Sequence, residues 1–257
     1  MQLVKPTVPD RSLFAEIGSV RRIREGIAYA RTFGWPTRIV SKAGYGKTTA
    51  LYYLAQELGG SYCQAGYAHK TVPDMYRMLL AALGVRSSKS YTRDLFDELI
   101  WELRRPSWDN KKDRQLIIVD EAQTLEATAQ RELLNIQETC DLALVISGNG
   151  ERIAGTKIDR AAWEQIDSRV GMNIALPGLT RDDCQLIGSA YGVEGMDAYE
   201  AITNFGTQTT VRILGQLLDN AKRLTRTGGA IQFQHLQTVL SGNPKLGSLE
   251  LLKPEAA

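Results

Sequence analysis

The sequence predicts an α/β fold: a core built on a parallel five-stranded sheet, followed by a small helical lid. Three observations carry this reading. Short β-prone runs alternate with amphipathic helical stretches through the first two thirds of the chain, the order that builds a parallel sheet. The run Leu116–Val119 is continuously apolar rather than alternating, as in a strand covered on both faces. From Pro177 onward helical segments follow one another to about Leu240 with no strong strand among them.

The elements follow in order. Two prolines, Pro6 and Pro9, mark an extended arm, taken as residues 1–18. A helix is expected over Ser19–Thr32, with Val20, Ile23, Ile27 and Ala30 on one face, and Gly34-Trp35-Pro36 stops it. Arg38–Val40 is a short strand that runs straight into the loop SKAGYGKT. The next helix, Thr48–Leu58, ends at Gly59-Gly60. Ser61–Ala65 reads as a second strand. Thr71 caps a helix bearing Val72, Met75, Leu79 and Leu83, which Gly84 closes. A polar loop, Val85–Tyr91, leads to an amphipathic helix with Leu95, Phe96, Leu99, Ile100 and Leu103. A basic loop then spans Arg104–Arg114. After the strand at 116–120, a helix over Ala127–Thr139 precedes a strand at Leu142–Ile146, and a further strand is expected at Met172–Leu176. Thr180–Asp183 has the composition of a helix-starting cap. The core is taken as 19–177, the lid as 178–242, and 243–257 as a loose C-terminal tail.

Composition narrows the class. At 257 residues, with 43% hydrophobic and 23% charged residues, the chain has enough apolar material for a nucleotide-binding core and a small second domain, and wholesale disorder is excluded. The formal net charge of +2 neither demands nor forbids a nucleic-acid partner, so a binding surface has to come from local clusters of Lys and Arg. Cys63, Cys140 and Cys184 are far apart and lack metal-ligand spacing, which points to reduced, partly buried thiols. No signal peptide and no membrane-spanning run is visible, so the expectation is a soluble, cytoplasmic protein without a membrane partner.

Two motifs carry chemistry. The first is Ser41-Lys42-Ala43-Gly44-Tyr45-Gly46-Lys47-Thr48-Thr49. Phosphates need converging backbone N–H donors, and glycines let the chain turn tightly enough to supply them. The loop opens onto a helix N-terminus, which favours anions. Lys47 reaches phosphate oxygens and the Thr48 hydroxyl is placed to ligate Mg2+, so the expected ligand is ATP with Mg2+. The pattern usually begins with Gly, and here Ser41 holds that position. The second motif is Leu116–Glu121. Asp120, ending a buried strand, would hold the metal through water, and Glu121 would polarise the attacking water. Ligands of open α/β sheets sit at the carboxyl ends of strands, where both motifs fall. Three single residues join them: Asn149, ending the next strand and oriented to position the lytic water; Arg169, a candidate finger for a neighbouring subunit's ATP, with Arg160 competing; and Arg212, opening a long lid helix, a candidate γ-phosphate contact.

The order of these residues resembles the AAA+ ATPase superfamily of P-loop NTPases, over about residues 19–240. The resemblance implies ATP sites at subunit interfaces in a homo-oligomer, either ring or helical filament. Within the superfamily, the segment LALVISGNGE and the Asp-Glu-Ala-Gln box are similar to the transposition ATPases, the phage Mu B family. That family implies assembly with ATP on double-stranded DNA, target selection, and delivery to a transposase that stimulates hydrolysis, with hydrolysis driving disassembly. This sequence lacks a recognisable N-terminal helix-turn-helix.

From the residues themselves, the DNA candidates are Lys70 and Thr71 beside His69, and Lys89 and Arg93 beside Arg86, Ser87 and Ser88. Both groups are expected on one side of the core, tracking the phosphate backbone. Tyr67 and Tyr91 lie nearby. The competing readings are a replication initiator or helicase loader, a secretion-associated ATPase, and a signalling switch that binds ATP with little turnover.

Overall fold

An apolar strand with no polar face must be covered on both sides, and the sheet is built around that requirement. The computed structural model describes residues 6–105, 113–149, 164–225 and 228–253. Two compact units emerge. The first comprises 22–42 and 48–175 with the N-terminal residues to Thr7, and the second comprises 8–21, 43–47 and 176–257.

The first unit holds five strands: β1 (Thr37–Val40), β2 (Ser61–Gln64), β3 (Leu116–Asp120), β4 (Ala143–Gly148) and β5 (Met172–Ala175), in the spatial order β2-β3-β4-β1-β5. Every pairing is parallel. The five expected strands are therefore all present, with ends shifted by a residue or two. β3 and most of β4 are buried throughout, while the edge strands β2 and β5 are only partly so, the pattern that two-sided cover of the centre produces.

The helices of this unit are α1 (Gly18–Phe33), α2 (Lys47–Glu57), α3 (Val72–Ala82), α4 (Thr92–Arg104), α5 (Ala127–Cys140) and the helical residues 164–169 (α6). Leu95, Leu99 and Leu103 form the buried stripe of α4, at i, i+4 and i+8. They pack with Met75, Met78, Leu79, Leu133 and Leu134 of α3 and α5 over Ile117 and Val119 of β3. Phe96 and Ile100 are only partly buried against this cluster. Tyr76 of α3 donates a 2.8 Å hydrogen bond to Glu132 of α5, fixing those two helices polar tip to polar tip.

The second unit contains α7 (Arg181–Tyr191), α8 (Met196–Gln208), α9 (Val211–Leu224) and α10 (Phe233–Gly242). Leu214, Leu217, Leu218 and Ala221 give α9 a continuous apolar face, and Phe205 of α8 is fully buried in the same unit. Among the described residues of this unit, strand structure is confined to a single parallel bridge between Val193 and Ile231. The expected loose tail is corrected by the structure: beyond Asn243 the chain makes a 3-10 turn at Leu249–Leu252, Leu246 and Leu252 are buried, and Asn204 donates its amide to the Leu252 carbonyl at 3.3 Å. The two buried leucines and this hydrogen bond from α8 seat the segment. Among the described residues no helix is long and apolar enough to cross a membrane.

Thr180 and Asp183 form a reciprocal cap at the start of α7, as the sequence predicts. The structure adds a partner. Asp183 is 3% exposed, and its carboxylate accepts the Gly18 N–H at 2.7 Å as well as the Thr180 N–H at 3.0 Å. Asp183→Ala strips two backbone donors of their acceptor. It should lower the unfolding free energy by about 2–4 kcal/mol, measurable by urea titration. The cysteines yield a second test. Burial pushes the thiols of Cys63 and Cys184 up to about 12, aided at Cys63 by the charge of Asp120 and at Cys184 by that of Asp183. Cys140 is only half-buried, and Arg104 opposes its upward shift. Native protein treated with iodoacetamide at pH 8 should be labelled at Cys140 first, with Cys63 and Cys184 reacting only after unfolding.

Candidate functional site

Within the first unit, the site forms around Asp120. This carboxylate ends β3 and is fully buried. A carboxylate taken out of water is tolerated only where hydrogen bonds replace the lost hydration. Four donors do so. Thr48, in the first turn of α2, donates from Oγ1 to Oδ2 at 2.7 Å, and Tyr62 of β2 donates to the same oxygen at 3.1 Å. The Ser147 hydroxyl of β4 and the backbone N–H of Glu121, at 2.9 Å, donate to Oδ1. Burial, followed by the charge of Asp120 and the hydrogen bond to it, holds the Tyr62 phenol far above its ordinary range, so it remains a donor.

Glu121 follows with φ 55° and ψ 35°, a left-handed conformation that few non-glycine residues adopt. The chain then makes a 3-10 turn over Ala122–Thr124. This turn brings Gln123 back to donate its amide nitrogen to Glu121 Oε2, and Gln123 Oε1 is buried without a hydrogen-bond partner among the described residues. Asn149 comes directly after β4, half-buried, at the same carboxyl edge of the sheet. Arg169 ends α6. Its Nη1 donates to Asn135 at 2.7 Å and its Nε lies 3.7 Å from Glu138, so the guanidinium rests on α5 of its own chain. Such an exposed contact is worth about 0.2–1 kcal/mol and is readily exchanged for another. Arg160 lies outside the described residues.

Residues 43–47 belong to the second unit and are organised there by the start of α9. Gly44 and Gly46 have φ of +87° and +81°, so both exploit the freedom the motif predicts. The Arg212 N–H donates to the Gly44 carbonyl at 2.9 Å. Thr210 caps α9 by accepting from Ile213 at 3.3 Å. Ser41, in contrast, is not among the residues with positive φ, and its hydroxyl donates to the Lys42 carbonyl at 3.0 Å. The first position of this loop therefore does not need glycine, which explains why serine is accepted there. Lys42 and Ala43 are exposed, Tyr45 is half-buried, and Lys47, Thr48 and Thr49 open α2.

The DNA candidates separate into two places. Lys70 follows a 3-10 turn at Tyr67–His69, with its ammonium 4.5 Å above the Tyr67 ring, and Tyr67 is 86% exposed. Thr71 donates its hydroxyl to Asp74. Lys89 and Arg93 flank the start of α4, where Ser87 is tied to Glu98 and accepts the Lys89 N–H at 3.1 Å. The first group stands just before α3, an 11-residue helix, and the second follows it at the start of α4.

Sequence reasoning missed Tyr62 and Gln123, and it valued Ser147 only as a neighbour of Asn149. A tyrosine in a short strand looks like any β-former. Only the β2–β3 register, which pairs Tyr62 with Ile118 and Gln64 with Asp120, puts it on the face that Asp120 occupies.

Comparison with known proteins bears on the fold. Residues 37–153 match the family model described as an AAA domain. The chain has an AAA+ fold. The AAA+ core and its helical domain align with the ADP form of the Aeropyrum pernix ORC2 protein at a TM-score of 0.64, with 13% identity over 94% of this chain and 72% of that one. Cdc6p from Pyrobaculum aerophilum aligns at 0.61, with 16% identity over 93% and 69%. By sequence, the chain resembles the Mu-like prophage FluMu DNA transposition protein B of Haemophilus influenzae, 23% identical over 201 residues, which cover 75% of this chain and 68% of that protein.

The two glycines of the AAA+ loop allow a graded test. A Cβ on Gly44 would lie 2.9 Å from Thr210 Oγ1, whereas one on Gly46 would meet nothing closer than 3.5 Å. Gly46→Ala should cost the left-handed strain alone, about 1–2 kcal/mol, and Gly44→Ala more than that, as read by thermal unfolding of the two variants side by side.

Proposed function

We propose that this chain is a Mg2+-dependent ATPase that assembles on double-stranded DNA with ATP and regulates DNA transposition, recruiting a transposase and leaving the DNA when ATP is hydrolysed. The observation that carries the ATPase reading is the 2.7 Å hydrogen bond from Thr48 to Asp120. The hydroxyl proton is committed to the carboxylate, so the lone pairs of Thr48 stay available to a cation. A hydroxyl and a carboxylate are hard oxygen donors. Mg2+ favours such oxygens, bound directly or through water, together with phosphate. In this reading Thr48 and Asp120 hold Mg2+, which would neutralise charge on the phosphates. The amides of 41–49 and the Lys47 ammonium bind the triphosphate, and Arg212 contacts its end. Glu121 accepts the proton of the attacking water, Asn149 orients that water, and Arg169 swings from its exposed seat on α5 to a neighbouring subunit's nucleotide.

The transposition reading draws on the resemblance to a DNA transposition protein. Lys70, Thr71, Lys89 and Arg93 are the proposed DNA contacts, and a homo-oligomer, ring or filament, working in the cytoplasm is the proposed active form. The proposed functional division is a core at 19–177 and a lid at 178–242. A second reading, a replication initiator or helicase loader, draws on the fold shared with Cdc6p and ORC2. Electron microscopy with duplex DNA and a slowly hydrolysed ATP analogue separates the two, because continuous DNA-dependent filaments are expected and isolated monomers at low salt would contradict the proposal. In the same assay Glu121→Gln should bind ATP and stay assembled, with turnover lowered by about a hundredfold or more. Lys47→Ala should lose nucleotide binding, and an unaltered ATP affinity in that variant would sink the loop assignment.

A further inference from the structure

The hydrogen bonds around Asp120 leave its carboxylate with no vacancy. Two donors, the Ser147 hydroxyl and the Glu121 N–H, occupy Oδ1, and two, the Thr48 and Tyr62 hydroxyls, occupy Oδ2. A carboxylate offers about four lone-pair positions in all. If Asp120 holds a hydrated cation through water, that water must donate to one of these positions, and one present donor has to withdraw.

Geometry selects the donor that leaves. The Glu121 N–H is fixed by the backbone. Ser147 is 1% exposed within β4. Thr48 has the shorter bond to Oδ2, at 2.7 Å, and can keep its proton there while its lone pairs turn to the cation. Tyr62 has the longer bond, at 3.1 Å, comes from an edge strand and is itself only half-buried. Its ring packs edge-on against Tyr52 of α2, with centroids 5.6 Å apart, and this contact survives a rotation of the hydroxyl hydrogen or a small tilt of the ring.

We propose that Tyr62 is a placeholder. Its hydroxyl fills an acceptor position on Asp120 that water accompanying Mg2+ would need. Tyr62 thereby satisfies a buried carboxylate and would compete with the cation for it, setting the Mg2+ concentration at which the site loads. This inference rests on the reading of Asp120 as the metal-holding carboxylate.

The test is Tyr62→Phe in the full chain, with binding of a fluorescent ATP analogue followed as Mg2+ is titrated. The half-saturating Mg2+ concentration should fall by roughly three- to tenfold, the scale of the net contribution of one ordinary hydrogen bond. Nucleotide affinity in EDTA should be unchanged. The ligand-free melting temperature should drop, and the rise produced by Mg2+ and nucleotide should be larger than in the wild type. Ser147→Ala, which removes a donor that must stay, should not tighten Mg2+ binding. Tyr62→Met serves if the phenylalanine variant does not fold. A folded Tyr62 variant that needs the same or more Mg2+ overturns the placeholder role. A wild-type protein whose nucleotide binding ignores Mg2+ instead overturns the reading of Asp120 on which it rests.

Discussion

A negative charge at the end of a dry strand is the constraint that the first unit is arranged to meet. Asp120 is fully buried, and an ion of its size taken out of water loses several kcal/mol of hydration even after the protein relaxes. The four compensating donors come from α2, β2, β4 and the residue after β3, so the charge is satisfied only when those elements are all in place. This makes the carboxylate a check on sheet register. Slipping β2 or β3 by one residue would put Tyr62 and Asp120 on opposite faces and leave the carboxylate short of a donor. The apolar residues of β3 favour burial in any register, whereas Asp120 favours one.

The same edge of the sheet shows where the chain departs from unstrained geometry. Glu121 is held in the left-handed region, at a cost of about 1–2 kcal/mol for a residue with a Cβ. The local gain is that the chain turns sharply at the end of β3, its N–H bonds back to Asp120, and the 3-10 turn returns Gln123 to the Glu121 carboxylate. The two consecutive carboxylates are satisfied by different donors: backbone and hydroxyls for Asp120, an amide side chain for Glu121.

What the sequence made legible was local. The run Leu116–Val119 announced a strand buried on both faces, Gly44 and Gly46 announced a tight turn with positive φ, and Thr180 with Asp183 announced the start of α7. Each of these depends on residues within a few positions of one another. The features not legible depend on register or on distance through space. Tyr62 reaches Asp120 across 58 positions of sequence, and Asp183 accepts from Gly18 across 165. The seating of Leu252 involves a hydrogen bond from Asn204 of α8, which no reading of residues 243–253 alone could reveal. The sequence likewise shows two basic loops separated by a helix, whereas what each loop is bonded to depends on distance through space.

That separation makes the two basic loops unequal. The turn carrying Lys70 is bonded into the frame of the acidic pair: the Ala65 N–H donates to the Asp120 carbonyl at 2.9 Å, and the Lys70 carbonyl accepts the Glu126 N–H at 3.0 Å, so it brackets the segment that contains Glu121 and Gln123. The loop before α4 is tied to Glu98 through Ser87, on the far end of α3. Among the described residues the Lys70 ammonium has an exposed cation–π contact to Tyr67, worth about 0.5–1 kcal/mol, on a turn that shares backbone hydrogen bonds with β3 and its following residues. Lysines of equal charge therefore differ in what they are fastened to.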